Sequence, residues 1–438
     1  VSLRSKLQRL DAAQTKRHAP TSTPTSTERV ETLDELRARI HAVLARTSPP
    51  RPPPPAVDAP DLPFVTYDTP VGPLHVRTLH LSAAHRTGRA PVLAARDASS
   101  ALLSLLALDP KLAACPLRGA LYLDTETTGL HGGTGTIAFL VGLAFWSPAT
   151  DTTGGELVVE QLLVRNLGEE APMLARVAER IRAASMLVTF NGKSFDLPLL
   201  RTRFTMAKMP APDERPHLDL VHVARRLHKV RGIECRLTTI EREVLGFERV
   251  GDVPGSEVSA CYLHFLRSGD ATALLGVVEH NAWDVVAMAA LVGLYGEPLE
   301  ASTLTAEDLV GVARTLSRAG KRDEAFDVAS RAAESGSARN QALRARADIS
   351  KARRDRARAM ADFEQLAATV DDPSVRLELA KLYEHHVGAH ERALAVVEQG
   401  TGESVERTTK RHRRLTTKIE RASQGQRGLF GEGSKRNR

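Results

Sequence analysis

Asp124 and Glu126 stand one residue apart at the end of an apolar run, Ala120 to Leu123, which Thr127-Thr128-Gly129 brings to a halt. A short apolar run stopped by loop residues is expected to be a buried strand, and open α/β sheets place their ligands beyond the carboxyl ends of such strands. Side chains alternate along a strand, so both carboxylates project to one side. Held that close, they repel unless a proton or a cation lies between them. A hard divalent ion with oxygen ligands, Mg²⁺ or Mn²⁺, is the simplest cation to suit. Many such pairs are merely solvated strand ends, and this one gains its weight from residues further along the chain.

A third acid, Asp196, comes after a short strand, Met186 to Phe190, and an Asn191-Gly192 turn. Ser194 is the expected helix N-cap, which puts Asp196 in the first turn of a helix running through Phe204, where it would also favour the helix dipole. His280 and Asp284 lie four apart in a helical stretch, Thr272 to Gly293. That spacing sets them on one helix face, with β-carbons about 5–6 Å apart.

The elements that must position these residues read as α/β. A hairpin is expected over Phe64 to Leu81, a helix over Ala98 to Leu108, and strands over Ile137 to Trp146 and Glu156 to Val164. A helix over Ala171 to Ala184 and a fifth strand, or strand-to-helix junction, at His217 to Leu220 complete the pattern. The glycine-rich loop His131 to Thr136 either lets a nucleic-acid backbone approach or is a tight turn. Arg225, Arg226, His228, Lys229, Arg231 and Arg236 form a local basic cluster that could track phosphates, and a solvated helix face explains them equally well.

A chain of 438 residues, 42% of them hydrophobic, has room for two or three domains. The net charge of +7 sits in the tail, since residues 401–438 hold eleven Lys or Arg and four Asp or Glu while the rest of the chain balances. The cysteines Cys115, Cys235 and Cys261 are far apart and suggest neither a zinc site nor a disulfide framework. No apolar run of transmembrane length and no signal-peptide core are expected, so the expectation is a cytoplasmic protein with no membrane contact. Residues 1–60 combine a basic opening, a helix over 33–45 and a stiff proline run, Pro49 to Pro55.

Taken together, Asp124 with Glu126, Asn191 through Phe195-Asp196, and His280 with Asp284 resemble the three motifs of the DEDD class of 3′-to-5′ exonucleases. The strings LDTETTGLHGGTGT, TFNGKSFDLPLL, CRLTTIEREVLGFER with DVPG, and HNAWDVVAMAAL resemble the YprB-type ribonuclease-H-like family over roughly residues 64–296. The resemblance implies a mixed five-stranded sheet with flanking helices, and two divalent ions held by Asp124, Glu126, Asp196 and Asp284. It further implies that His280 takes the proton of an attacking water, and that Thr127, Thr128, Gly129, Asn191 and Phe195 contact nucleic acid. The His280–Asp284 spacing of four departs from the five usual in the histidine-type class. The implied activity is a two-metal-ion 3′-to-5′ exonuclease acting on DNA or RNA. The alternative is an inactive nucleic-acid-binding or adaptor protein on the same fold.

In the C-terminal half Ala325, Ala359 and Ala393 recur at intervals of 34, each followed four residues later by Ala329, Phe363 or Val397. Gly320 and Gly388 precede their alanines by five, and Arg354 takes the glycine place in the middle unit. This resembles tetratricopeptide helix pairs and implies a partner-binding half over 303–400, after a ribonuclease-H-like domain over 61–298. The basic tail 401–438 is expected to be helical around Lys410 to Arg414. Its Gln426, Leu429 and Phe430 resemble the peptide with which bacterial DNA enzymes dock in the sliding clamp.

Overall fold

The computed structural model describes residues 61–129, 134–147 and 155–431, with side chains as far as 424. The expected helix over 33–45, the proline run and His131 to Gly133 lie outside the described residues, as do the side chains of Gln426, Leu429 and Phe430.

The expected hairpin is β1 (Val65–Thr69) and β2 (Gly72–Leu81). A separate two-stranded ribbon, β3 (Arg86–Thr87) with β4 (Ala90–Pro91), follows. Next come α1 (Ala94–Asp97) and α2 (Ser100–Ala107), the latter capped by Ser99, whose side chain accepts from the Leu102 N–H at 3.1 Å. The strands read from the sequence are β5 (Ala120–Thr127), β6 (Ala138–Trp146), β7 (Leu157–Leu163), β8 (Met186–Thr189) and β9 (His217–Asp219). They form one mixed sheet with the hairpin, in the order β1-β2-β7-β6-β5-β8-β9. The sheet therefore has seven strands where five are implied by the resemblance, because β2 pairs antiparallel with β7 and extends that edge. On the other side of β5, strands β8 and β9 run parallel to it.

Strand alternation sorts β5 between two layers. Leu121 and Leu123 join the cluster beneath α3 (Glu170–Ala183) and α4 (Asp196–Met206), with Leu174, Val177 and Phe204. Ala120 and Tyr122 point the other way, into the cluster that contains Val285 and Met288 of α8 (Thr272–Tyr295). Between these helices the chain forms α5 (Leu220–Leu227), α6 (Leu237–Ile240) and α7 (Val258–Ser268).

The α8 helix corrects one expectation. Its 24 residues are, by length and composition, long and apolar enough to cross a membrane. Most of it is instead buried in the protein, lying against β5, β6 and β7, which is why it is apolar almost all round.

The remaining elements are α9 (Ala306–Arg318), α10 (Arg322–Glu334), α11 (Arg339–Ala352), α12 (Arg356–Ala367), α13 (Pro373–Leu382), α14 (His390–Glu398) and α15 (Val405–Gly431). The main apolar cluster runs without a break from the sheet into α9, α10 and α11. One buried polar link spans the same junction. His228 Nδ1 lies 2.7 Å from Asp308 Oδ1 at the start of α9, and its Nε2 lies 2.7 Å from the Tyr295 hydroxyl.

Ala325, Ala359 and Ala393 are fully buried at matching places in α10, α12 and α14, and so are Ala329, Phe363 and Val397. The turns ahead of them share a left-handed residue, with φ of +86° at Gly320, +66° at Arg354 and +73° at Gly388. A side chain there crowds its own carbonyl, at about 1–2 kcal/mol for an L-residue. Arg354→Gly is therefore expected to stabilise the protein by about 1 kcal/mol, read as a rise in the denaturation midpoint. A midpoint that falls would mean that contacts of the Arg354 side chain outweigh the backbone conformation.

Candidate metal and nuclease site

Because Asp124 and Glu126 share the strand face of Ala120 and Tyr122, they look toward α8. That helix supplies His280, Asn281 and Asp284. Asp124 Oδ2 accepts from Asn281 Nδ2 at 2.9 Å. The Asn281 carbonyl oxygen accepts in turn from Gln161 Nε2 at 3.0 Å, and the same amide nitrogen donates to the Val278 carbonyl at 2.7 Å. This chain of contacts needs Gly142, which sits opposite Asp124 in β6, since a β-carbon there would lie 2.3 Å from Asn281 Oδ1. A lone glycine within an apolar strand is the one signal in the sequence that points to so close an approach.

Asp196 arrives from the other side. Its carboxylate accepts from Thr125 Oγ1 at 2.6 Å. The turn before it is tied down by Asp219, which accepts from the Asn191 N–H at 2.7 Å and the Lys193 N–H at 3.0 Å, with Asn191 at φ +72°. Ser194 is not the N-cap expected from the sequence. It lies within this turn, and Phe195 occupies the cap position with no side-chain hydrogen bond, because the Asp219 anchor rather than a capping hydroxyl fixes how the chain enters α4. Asp196 is in the first turn of α4, as expected.

His280 is held on both sides. Its Nδ1 is 2.6 Å from Asp252 Oδ1, and its Nε2 faces Asp284 Oδ2 at 3.5 Å and Glu126 Oε1 at 4.0 Å. Donor atoms of Glu126, His280 and Asp284 all lie within 4.8 Å of one another, so they could share one ion. Asp124, Glu126 and Asp196 line a cleft of about 380 Å³ together with Thr127, Gly129, Asn191 and Phe195. Thr128 is not brought into it, because its hydroxyl accepts from the Ile137 N–H at 3.0 Å.

Several contributors escaped sequence reasoning. Arg249 is nearly buried, pairs with Glu241 at 2.7 and 2.8 Å, and donates to Asp284 as well. Burial alone would lower its pKa, but Asp284 and Glu241 raise it. Glu241, Arg249 and Asp252 lie inside the strings that carry the family resemblance, yet as single charged residues in a polar stretch they bear no local mark.

Electrostatics set the character of the cleft. Burial first, then Asp284, Asp196 and Glu126, push the Asp124 carboxyl well above the carboxylate range. Burial and Asp284 raise Glu126 to about 8, and burial raises Asp196 to about 6 against the pull of the Thr125 hydrogen bond. For His280 burial works downward, and Asp284, Glu126 and the Asp252 hydrogen bond outweigh it, so its pKa is raised. An all-oxygen acid set with one imidazole, costly to ionise without a counter-charge, fits hard divalent ions.

Residues 121–295 match the RNase_H superfamily. The chain is also 37% identical over 172 residues to the Bacillus subtilis (strain 168) protein described as "Uncharacterized protein YprB". That alignment takes in 39% of this chain and 40% of the relative, so the match spans about two fifths of the relative's length. Residues 121–295 thus match the ribonuclease-H-like superfamily and the chain is similar to YprB, and the superfamily match supports a nuclease-type function.

A carboxyl whose folded pKa is raised holds its proton in the folded state over a range where the unfolded chain releases it. Stability is then greatest below the unfolded value and falls as pH rises to the folded one. For Glu126 the window runs from 4.5 to about 8. Glu126→Gln should therefore make the metal-free protein more stable than the parent at pH 8, by the order of a few kcal/mol, and flatten the decline with pH. Thermal denaturation in EDTA across pH measures this, and a variant no more stable than the parent at pH 8 contradicts the buried-charge account.

Proposed function

We propose that the protein is a metal-dependent nuclease, a 3′-to-5′ exonuclease that hydrolyses phosphodiester bonds of DNA or RNA with two divalent ions, Mg²⁺ or Mn²⁺. The observation that carries this reading is the convergence of Asp124, Glu126 and Asp196 on one cleft, with Asp284 close enough to raise the pKa of Asp124 and Glu126 together with burial. Those four acids would hold the ions, which supply a water of lowered pKa and offset the charge on the attacking and leaving oxygens. His280 in its neutral form accepts a proton at Nε2, since Asp252 engages Nδ1. Phe195, 59% exposed at the cleft mouth, offers a face on which a base can stack.

A second reading, binding without cleavage, is favoured by one observation. Arg249 already partners Asp284, as a cation would. Finer readings accompany the proposal. The C-terminal helix pairs act as a tetratricopeptide-like partner-binding half in a cytoplasmic protein, and Gln426, Leu429 and Phe430 form a clamp-docking peptide. A clamp pull-down unchanged by Leu429→Ala with Phe430→Ala would remove the last of these.

End-labelled oligonucleotides with Mn²⁺ test the main reading. Stepwise shortening from the 3′ end is expected from the parent, and background activity from Asp124→Ala combined with Asp284→Ala. His280→Ala should cost about 10²- to 10⁴-fold in rate while keeping the Mn²⁺-induced rise in melting temperature. Cleavage that survives loss of both acids would put the active site elsewhere, and intact oligonucleotides bound by the parent in Mg²⁺ and in Mn²⁺ would select the second reading.

A further inference from the structure

The basic residues between 225 and 236 look alike in the sequence, and the fold divides them. His228 is buried between Asp308 and Tyr295, Arg231 pairs with Asp308 at 3.3 Å, and Arg226 donates from Nε to the Leu106 carbonyl at 3.0 Å. His228 and Arg231 tie the α/β part to Asp308 of α9, and Arg226 ties α5 to α2. Arg225, Lys229 and Arg236 are exposed instead and line an open pocket of about 620 Å³.

Among the described residues Arg225 and Lys229 make no ion pair. Arg236 meets only Glu234, at 2.7 Å, and with side chains 74% and 62% exposed such a pair contributes little. Arg225 and Lys229 lie where the dipole at the carboxyl end of α5 favours cations. That explanation does not reach Arg236, which comes from a different segment and lines the same space. The pocket shares one residue, Asn191, with the acid cleft. Asn191 is the left-handed turn residue fastened by Asp219, so the ridge between the two spaces is rigid.

From this arrangement we infer that the Arg225–Lys229–Arg236 pocket binds the phosphodiester backbone of a single strand that passes over Asn191 from the acid cleft. The inference rests on the nuclease reading and adds the path of the substrate. Three cations spaced around an open pocket grip phosphates without reading bases, which makes the contact independent of sequence and sensitive to salt. It also implies that strands too short to reach beyond Asn191 bind through the acid cleft alone.

Binding of fluorescent single strands to the full chain in Ca²⁺, which takes the same oxygen ligands as Mg²⁺ and so fills the acid cleft without supporting cleavage, tests this. The probes are a trinucleotide and a strand of roughly twelve nucleotides, within the range such grooves cover. The variant carries Arg225→Gln, Lys229→Gln and Arg236→Gln, and an unchanged thermal midpoint shows that it folds. For the longer strand the slope of log affinity against log salt should flatten by about 2, since each lost phosphate contact on a single strand removes about 0.7. The trinucleotide should bind parent and variant alike. An unchanged slope on the longer strand overturns the inference and leaves the nuclease reading standing. A parent that binds neither strand overturns both.

Discussion

Four carboxylates gathered at one strand end, largely buried, repel one another, and the surrounding structure resists that repulsion by fixing each acid separately. Asn281 holds Asp124, Thr125 holds Asp196, Arg249 holds Asp284, and His280 faces Glu126. Two of these supports, Asn281 and His280, come from α8, whose apolar length packs under β5, β6 and β7 and cannot shift without opening the main core. Asn281 shows how narrow the fit is. It reaches Asp124 only because Gly142 has no side chain to meet it and Gln161 sets the orientation of its amide.

Much of this was legible in the sequence where a residue and its context were neighbours. An apolar run that ends in acid announces a strand tip with a carboxylate, and this pattern located Asp124 and Glu126 on β5 and put Asp196 in the helix that follows β8. The i, i+4 spacing put His280 and Asp284 on one helix face. What was not legible is every contact made across the fold. Asp124 and Asn281 are 157 residues apart, and Arg249 lies 35 residues from Asp284, so no local pattern links them. Ser194 failed as a cap for the same reason. The residue that fixes the entry to α4 is Asp219, which sits beyond that helix in the chain.

The basic cluster makes the same point from the opposite direction. Six basic residues close in sequence gave two readings of equal weight, phosphate track or solvated face, and the fold assigns neither to all of them. Half are buried or spent on carboxylates and carbonyls, among them the His228–Asp308 contact that ties the helical half to the α/β part. In the repeats, by contrast, a fixed period was visible because each unit solves the same local problem. A small residue lets two helices approach, and a left-handed residue turns the chain, even at Arg354.

Arg249 bears on what the cleft can hold. Counting the groups in contact there, Asp124, Glu126, Asp196, Asp284, Glu241 and Asp252 are six acids, against Arg249 and a protonated His280 as two cations. Fully ionised, the set carries four uncompensated negative charges with His280 protonated and five with it neutral, an excess that divalent ions offset. Burial first, joined for Glu126 by Asp284, raises Glu126 to about 8 and Asp196 to about 6 in the protein alone, so with fewer ions some carboxyls keep their protons more readily. Arg249 by itself neutralises one charge of Asp284 or Glu241 and leaves the Asp124 side of the cleft uncovered. Its ion pair is thus better understood as a fixed strut that keeps Asp284 aimed inward than as a counter-charge for the whole cleft.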